Sequence, residues 1–348
     1  MCGLGGVLTS DGADEREARD GLVRMLAEGL AHRGPDAQGL FESGPCTLVH
    51  RRLSIIDLSD QATQPLTTED RSLAVVVNGE IYNYLALRDE LRKKGFVFRS
   101  ESDSEVVLHG YRAWGEGVIA RLDGMFAIAL YDAQTRTLLL ARDRAGKKPL
   151  VYARDGKRFV FSSEIRPLYA ALKACSKAPA IDYDAIDAYL TLQYVPGPKT
   201  AFEGVRKLPP ATYAIVKPGR DPVLTTYWSL PNGPSLSADT ASLATELQDR
   251  LKIAVSRRLM SDVPLGAFLS GGIDSGTVVA LMAQASTARV KTFSIGFQEG
   301  DPELAFAKLV AARYGTDHHE AIVTPQMTDV LPKLVQHYGE PFADSSAV

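Results

Sequence analysis

The 348-residue chain has only three cysteines, Cys2, Cys46 and Cys175, widely spaced and without a CxxC pair. An odd, scattered set argues against a disulfide framework, and with no nearby histidine partner it suggests no zinc site. No apolar run approaches the ~20 residues a membrane-spanning helix needs; the longest are short strand-like pieces such as Leu73–Val77. The N-terminus lacks a basic segment followed by an apolar core, so the cytoplasm is the expected location and no membrane partner is indicated. Blocks of one charge are also missing. The 39 Lys and Arg are interspersed with 42 Asp and Glu, for a net charge of −3, and no basic stripe points to nucleic acid. GxxxxGK[ST] does not occur, which excludes a Walker-type loop for γ-phosphoryl transfer. Internal repeats and low-complexity tracts are absent as well. What remains is 45% hydrophobic and 23% charged, ordinary for a globular protein and long enough for two domains.

The chain opens Met1-Cys2-Gly3. Removal of the initiator methionine, which a small second residue permits, would leave Cys2 first. One residue then carries both a thiol and a free α-amine whose unperturbed pKa is about 8. A nucleophile and its base must lie within hydrogen-bond reach, and covalent linkage guarantees that here. Taken alone, Cys2 is more simply an incidental or buried cysteine; the surrounding pattern decides.

Gly5–Leu8 is a short apolar strand that would anchor Cys2 in a sheet. Leu22, Met25, Leu26 and Leu30 at helical spacing predict a helix over Glu15–Ala31, stopped by the loop His32-Arg33-Gly34-Pro35-Asp36. Strands are predicted at Thr47–His50, Leu53–Asp57 and Leu73–Asn78, and helices at Leu85–Lys94 and Ser104–Trp114. Met125–Tyr131 and Thr137–Arg142 flank a turn and read as a hairpin, with further strands at Val151–Ala153 and Phe159–Ser162. Many short strands with two helices suggest two stacked sheets with helices outside. Asp182–Gln193 looks helical before a proline-rich stretch, and residues 231–235, Pro-Asn-Gly-Pro-Ser, are the best linker. Beyond it the pattern changes to helix Ala241–Met260, strand Val263–Leu269, a Ser/Gly loop with a helix, strand Lys291–Phe297, helix Pro302–Tyr314 and strand His319–Val323. That alternation indicates βαβ units and a parallel sheet buried on both faces.

A zwitterionic amino-acid substrate needs a cation for its carboxylate and an anion for its ammonium. The first half offers Arg51 and Arg52, Glu80, and Asp103 within Ser102-Asp103-Ser104. Arginine suits a carboxylate because its planar fork donates two parallel hydrogen bonds. Asn78-Gly79 could supply an amide side chain and a backbone N–H to a developing oxyanion, glycine allowing close approach of the main chain. Each has a plain alternative: Asn-Gly is ordinarily a turn, and arginines are ordinarily solvated surface.

Together the motifs resemble a family. Cys2-Gly3, His32-Arg33-Gly34-Pro35-Asp36, Arg52-Leu53-Ser54-Ile55, Asn78-Gly79-Glu80-Ile81-Tyr82-Asn83 and Ser102-Asp103 look like the class II glutamine amidotransferase domain, from Cys2 to about Leu208. The resemblance implies an α+β N-terminal-nucleophile sandwich, two antiparallel sheets flanked by helices. It implies that Cys2 attacks the glutamine side-chain amide and releases ammonia through a thioester. Arg52, Leu53, Ser54, Ile55, Ile56, Glu80 and Asp103 would bind glutamine, and Asn78 with Gly79 would form the oxyanion hole. Arg33 and its neighbours would lie in a loop nearby.

In the second half, Ser270-Gly271-Gly272-Ile273-Asp274-Ser275 follows a predicted strand and opens a predicted helix. Backbone N–H groups in a Gly-rich turn form an anion-binding nest, and the helix terminus adds its dipole. Ser270 and Ser275 add hydroxyls. The stretch resembles the pyrophosphate loop of ATP pyrophosphatases. Joined to a glutaminase in this order, and with residues 260–266, 293–297 and 340–346 also matching, the chain is similar to the glutamine-hydrolysing asparagine synthetase family. That implies ATP, aspartate and glutamine as substrates and Mg²⁺ on the leaving pyrophosphate, with no metal ligand identified. It also implies ATP contacts from Leu269, Ser270, Gly271, Gly272, Asp274, Ser275 and Ile295, with Leu269 and Ile295 lining the adenosine pocket. A homodimer is possible within this family.

The expected domains are 2–210 for the amidotransferase, 211–238 for a connecting segment and 239–348 for part of an α/β parallel-sheet synthetase domain carrying the pyrophosphate loop. Gly276 stands where the family commonly has a second serine. The family's later Ser-Gly-Glu-Gly-Ser-Asp-Glu stretch is not in the sequence, so the chain reads as a fragment of a longer protein. Two rival readings stay open: an amidotransferase acting on another carboxylate, in a peptide, antibiotic or polysaccharide pathway, and a non-catalytic relative. Purine-pathway amidotransferases pair the first domain with a different second one, which the Ser270–Ser275 loop contradicts.

Overall fold

A computed structural model describes residues 1–10, 16–175, 178–233, 239–297, 302–324, 326–344 and 347. They divide into two compact units, Met1–Leu230 with Leu331–Val348, and Pro231–Val330.

Among the described residues the first unit contains twelve strands: β1 (Gly3–Thr9), β2 (Ala37–Ser43), β3 (Cys46–Arg52), β4 (Leu66–Thr67), β5 (Leu73–Ile81), β6 (Gly124–Asp132), β7 (Thr137–Arg142), β8 (Val151–Asp155), β9 (Arg158–Ser162), β10 (Val205–Lys207), β11 (Thr212–Val216) and β12 (Val223–Thr226). They form two six-stranded sheets, ordered β10-β8-β9-β1-β3-β2 and β12-β11-β7-β6-β5-β4, and every pairing is antiparallel. Strand side chains alternate between faces, so each strand serves two cores. Ala74 and Val76 of β5 join Leu4, Leu48 and Phe161 between the sheets. Val75 and Val77 face the other way, against Leu87, Leu91, Val106 and Val107 of helices Tyr84–Lys93 and Glu105–Trp114. On the far side, Val7, Val49 and Val160 pack on Leu22, Leu26, Leu168 and Leu172 of helices Arg16–Gly29 and Ile165–Cys175. The result is the expected sandwich of two antiparallel sheets with helices on both outer faces.

Several expectations need correction. Leu53–Asp57 is not a strand. The Arg52 guanidinium turns back onto the carbonyls of Asp57 and Ser59, and Asp57 adopts φ +57°, which closes the segment into a loop. Residues 211–238 are not simply a connector, because β11 pairs with β7 and β12 with β11, extending the second sheet. The end of the chain, expected in the second domain, packs on the first unit: Glu340 pairs with Lys207 at 2.5 Å and Ala343 N–H donates to the Gln193 carbonyl at 3.0 Å. Glu15, Pro234, Ser235, Ser345, Ser346 and Val348 lie outside the described residues.

The second unit holds β13 (Gly266–Phe268), β14 (Lys291–Gly296) and β15 (Asp317–Ile322) in one parallel sheet, in that order. Burial on both faces was expected. Instead β14 alternates, with Thr292, Ser294 and Gly296 buried and Lys291, Phe293 and Ile295 exposed. Val279 and Ala307, from helices Ile273–Ala285 and Pro302–Tyr314, pack with Leu269.

Candidate active site

The position of Cys2 follows from register. β1 begins directly after Cys2 and pairs with β3, Gly3 opposite Arg51 and Leu4 opposite His50. Cys2 therefore projects from the end of a central strand, beside the point where β3 turns into the 53–59 loop. Its Sγ accepts from Leu53 N–H at 3.4 Å and lies 3.6 Å from the Leu53 carbonyl. Arg33 donates to the Cys2 carbonyl at 2.9 Å and is held by Glu164 at 2.6 Å. Arg33 thus fixes the main chain at Cys2 and does not line the cavity in front of it.

That cavity, of about 180 Å³, brings together Cys2, Arg52, Leu53, Ile55, Ile56, Asn78, Gly79, Glu80 and Asp103. Ser54 is the exception among the expected glutamine ligands: its N–H turns to the Asp36 carboxylate at 2.7 Å and it is not on the cavity wall. Arg51 faces the opposite side of β3 and donates to the Ala27 carbonyl at 2.9 Å, as strand alternation requires. Arg52 is 5% exposed; its bonds to Ser59 and Asp57 hold the guanidinium at the cavity edge. Sequence reasoning missed Ala62, Gln64, Met125 and Lys148, which also line the cavity. They come from segments without a recognisable motif and are brought in only by the pairing of β5 with β4 and β6 and by the turn after β7.

Asn78 is 1% exposed, and neither its side-chain nitrogen nor its oxygen has a hydrogen-bond partner. A buried amide without partners is costly and points to a bound group that would satisfy it. The neighbouring Gly79 leaves no room for a side chain: an added Cβ would lie 2.0 Å from the Met125 carbonyl oxygen.

Electrostatics separate the two acids. Asp103 accepts from Ile81 N–H at 2.7 Å, yet burial, reinforced by the charge of Glu80, pushes its carboxyl up to about 6. Burial also raises the Cys2 thiol, opposed by the Leu53 N–H, the terminal amine and Arg52. The terminal amine, here that of Met1, is lowered by burial and by Arg33 and Lys148.

In the second unit, the loop after β13 folds onto itself. The Ser270 and Ser275 hydroxyls lie 2.8 Å apart, Ser275 Oγ accepts from Ser270 N–H at 3.2 Å, and Gly272 N–H donates to Ser270 Oγ at 3.3 Å. Gly272 caps helix Ile273–Ala285, with Asp274 in its first turn. A Cβ at Gly271 would meet Phe306 Cβ at 2.8 Å and the Glu303 backbone at about 3 Å, so only glycine lets the loop lie against the next helix. Leu269 is 1% exposed, its side chain packed with Val279, Ala307 and Ala311. Ile295 is exposed. Among the described residues no group of three His, Cys, Asp or Glu side chains is placed to hold a metal ion.

A thiol at the head of a central strand thus shares one cavity with an unsatisfied amide, a cation and two acids. The glutamine amidotransferase domain family matches residues 1–228 and the asparagine synthase family matches residues 246–348. The chain belongs to the glutamine-hydrolysing asparagine synthetase family. It is 36% identical over 350 residues to asparagine synthetase 1 of Bacillus subtilis, covering 100% of this chain and 54% of that protein. It is 35% identical over 349 residues to asparagine synthetase 2 of Arabidopsis thaliana, covering 97% and 54%. A Methanocaldococcus jannaschii relative carrying the same family name is 32% identical over 367 residues, covering 99% of this chain and 70% of its own. The chain spans about half the length of the first two.

Proposed function

We propose that the first unit hydrolyses glutamine with Cys2 as nucleophile, and that the protein uses the ammonia to amidate aspartate at the expense of ATP. The single observation that carries the reading is the buried, unpartnered Asn78 amide in a cavity shared with Cys2. Arg52 binds the glutamine carboxylate, while Glu80 and Asp103 bind its ammonium, which sets the side-chain amide against Sγ. The Cys2 amine takes the thiol proton as sulfur attacks the amide carbon. Negative charge then gathers on the amide oxygen, where Asn78 Nδ2 and the Gly79 N–H can donate. Collapse expels ammonia, which leaves with the proton from the amine. Water then cleaves the thioester to glutamate, the same amine acting as base.

The Ser270–Ser275 loop binds the ATP phosphates through its backbone N–H groups and the helix terminus. Ser270 and Ser275, now bonded to each other, can turn their hydroxyls to phosphate. A carboxylate is a poor electrophile; joined to AMP as a mixed anhydride, it gains a good leaving group. Mg²⁺ is commonly held by one or two carboxylates together with substrate phosphates. The exposed Asp274 at the loop fits that donor set, and the ion would neutralise the leaving pyrophosphate. The test is product analysis of the full-length protein with glutamine, ATP, Mg²⁺ and aspartate as sole acceptor. Asparagine, AMP and pyrophosphate in equal amounts support the reading; glutamine hydrolysis without any of the three shows a different acceptor.

A further inference from the structure

Lys148 is the least expected member of the glutamine cavity. It lines the wall with Cys2, Asn78 and Glu80 and is only 6% exposed. Its main chain is bracketed from behind. Lys148 N–H donates to Asp143 Oδ2 at 3.1 Å, and the Lys148 carbonyl accepts from Arg142 Nε at 2.7 Å. The same Asp143 carboxylate receives the N–H groups of Ala145 and Lys147 at 3.1 and 3.0 Å, and Arg142 also donates to the carbonyls of Gly146 and Leu208 at 2.6 and 2.7 Å. The buried Asp143 and the half-buried Arg142 thus fix this turn, and the fixed turn delivers Lys148 to the cavity wall.

Withdrawing an ammonium from water is costly, and burial accordingly depresses the Lys148 pKa, with Glu80 opposing. Such a group needs a function or a packing reason, and an apolar side chain would fill the wall more cheaply. We propose that Lys148 is a positioning charge for glutamine hydrolysis: its ammonium disfavours protonation of the Cys2 α-amine and so keeps that base free near neutral pH. The inference rests on the reading of Cys2 as the nucleophile.

Six charged groups surround the thiol and the terminal amine, which in this structure is that of Met1. They are Arg33 and Asp36 ahead of β2, Arg52 at the end of β3, Glu80 in β5, Asp103 before helix Glu105–Trp114, and Lys148. Arg33 is ion-paired with Glu164, and Asp36 accepts from Ser54 N–H. Glu80 and Asp103 meet the substrate ammonium, and Arg52 meets its carboxylate. Lys148 is therefore the cation whose removal alters the amine without removing a substrate ligand.

The experiment is the pH dependence of kcat/KM for glutamine hydrolysis, which reports free-enzyme ionisations, in full-length wild type, Lys148→Met, Lys148→Arg and Cys2→Ala. Loss of the cation makes the amine easier to protonate. The acid limb of Lys148→Met should move to higher pH by about one unit, so that in the limb the rate falls about tenfold, and Lys148→Arg should restore it. A merely structural role lowers the rate at every pH and leaves the limb in place, and that result overturns the inference. If Lys148→Met does not fold, Lys148→Gln, which removes the charge but keeps a polar side chain, takes its place in the same profile, and an unmoved limb there overturns the inference. Cys2→Ala separates the two readings. An active Cys2→Ala removes the nucleophile assignment itself, whereas an inactive one beside an unmoved Lys148→Met limb removes only the role of Lys148.

Discussion

Gly79 of β5 and Met125 of β6 approach so closely that a Cβ on Gly79 would lie 2.0 Å from the Met125 carbonyl oxygen and 2.7 Å from Phe126 Cα. Both obstructing atoms are backbone in a paired strand, so neither can step aside. Gly79→Ala should therefore force the two strands apart at the proposed oxyanion site. Overpacking of this kind costs roughly 1–3 kcal/mol. The chain should unfold at lower denaturant concentration and hydrolyse glutamine far more slowly. Unchanged stability and turnover would show that the pairing is looser here than the structure describes.

Arg52→Ala should raise the Michaelis constant for glutamine far more than it lowers turnover at saturation. A charge-assisted carboxylate contact contributes on the order of 1.5–3 kcal/mol, or about one to two decades of affinity. Because Arg52 also ties down the carbonyls of Asp57 and Ser59, Leu53, Ile55 and Ile56 should loosen with it. Steady-state kinetics with an unaltered Michaelis constant would remove Arg52 from the carboxylate site.

Asp103 supplies a pH prediction. In the empty site its carboxyl is pushed up to about 6 by burial and by Glu80, so it is protonated below that pH. Only the ionised form attracts the glutamine ammonium. Glutamine binding should therefore be nearly independent of pH above about 7 and weaken as pH falls through 6, by up to tenfold per unit. Asp103→Asn should bind glutamine weakly at all pH values and lose this dependence. Titration calorimetry on a Cys2→Ala background measures it without turnover, and a flat wild-type profile from pH 5 to 8 would contradict the assignment.

The sandwich was legible in the sequence because strands such as β5 and β7 are apolar runs bounded by turn residues. β2 was not. Its sequence, Ala-Gln-Gly-Leu-Phe-Glu-Ser, belongs to an edge strand with one buried side chain, Phe41, and lacks the apolar periodicity that signals a strand. β11 and β12 were read as connector because Pro209, Pro210 and Pro222 surround them, while their strand character depends on pairing with β7. In the cavity, residues within linear motifs were found and those delivered by tertiary contact were not. Cys2, Asn78 and Asp103 sit in short recognisable stretches; Gln64 and Lys148 reach the cavity only after the sheets stack. Ser54 shows the converse, a motif residue whose main chain is claimed by Asp36.

The Ser270–Ser275 loop gives a prediction independent of the glutamine site. A Cβ on Gly271 would press on Phe306 and on the backbone of Glu303, displacing the loop by some tenths of an ångström or more. In the full-length protein, Gly271→Ala should sharply reduce ATP-dependent pyrophosphate release while glutamine hydrolysis continues. Equal pyrophosphate release by wild type and variant would mean that this loop does not hold the phosphates.

The central claim is that Cys2 is the nucleophile of a glutamine-binding cavity, and covalent labelling tests it most directly. A glutamine analogue bearing a chloroketone in place of the side-chain amide, applied at neutral pH and followed by peptide mass spectrometry, marks the reacting thiol. The account predicts one adduct, on Cys2, slowed by excess glutamine and far slower in Arg52→Ala. Labelling that glutamine does not slow, or that falls on Cys46 or Cys175 while Cys2 stays unmodified, would contradict it.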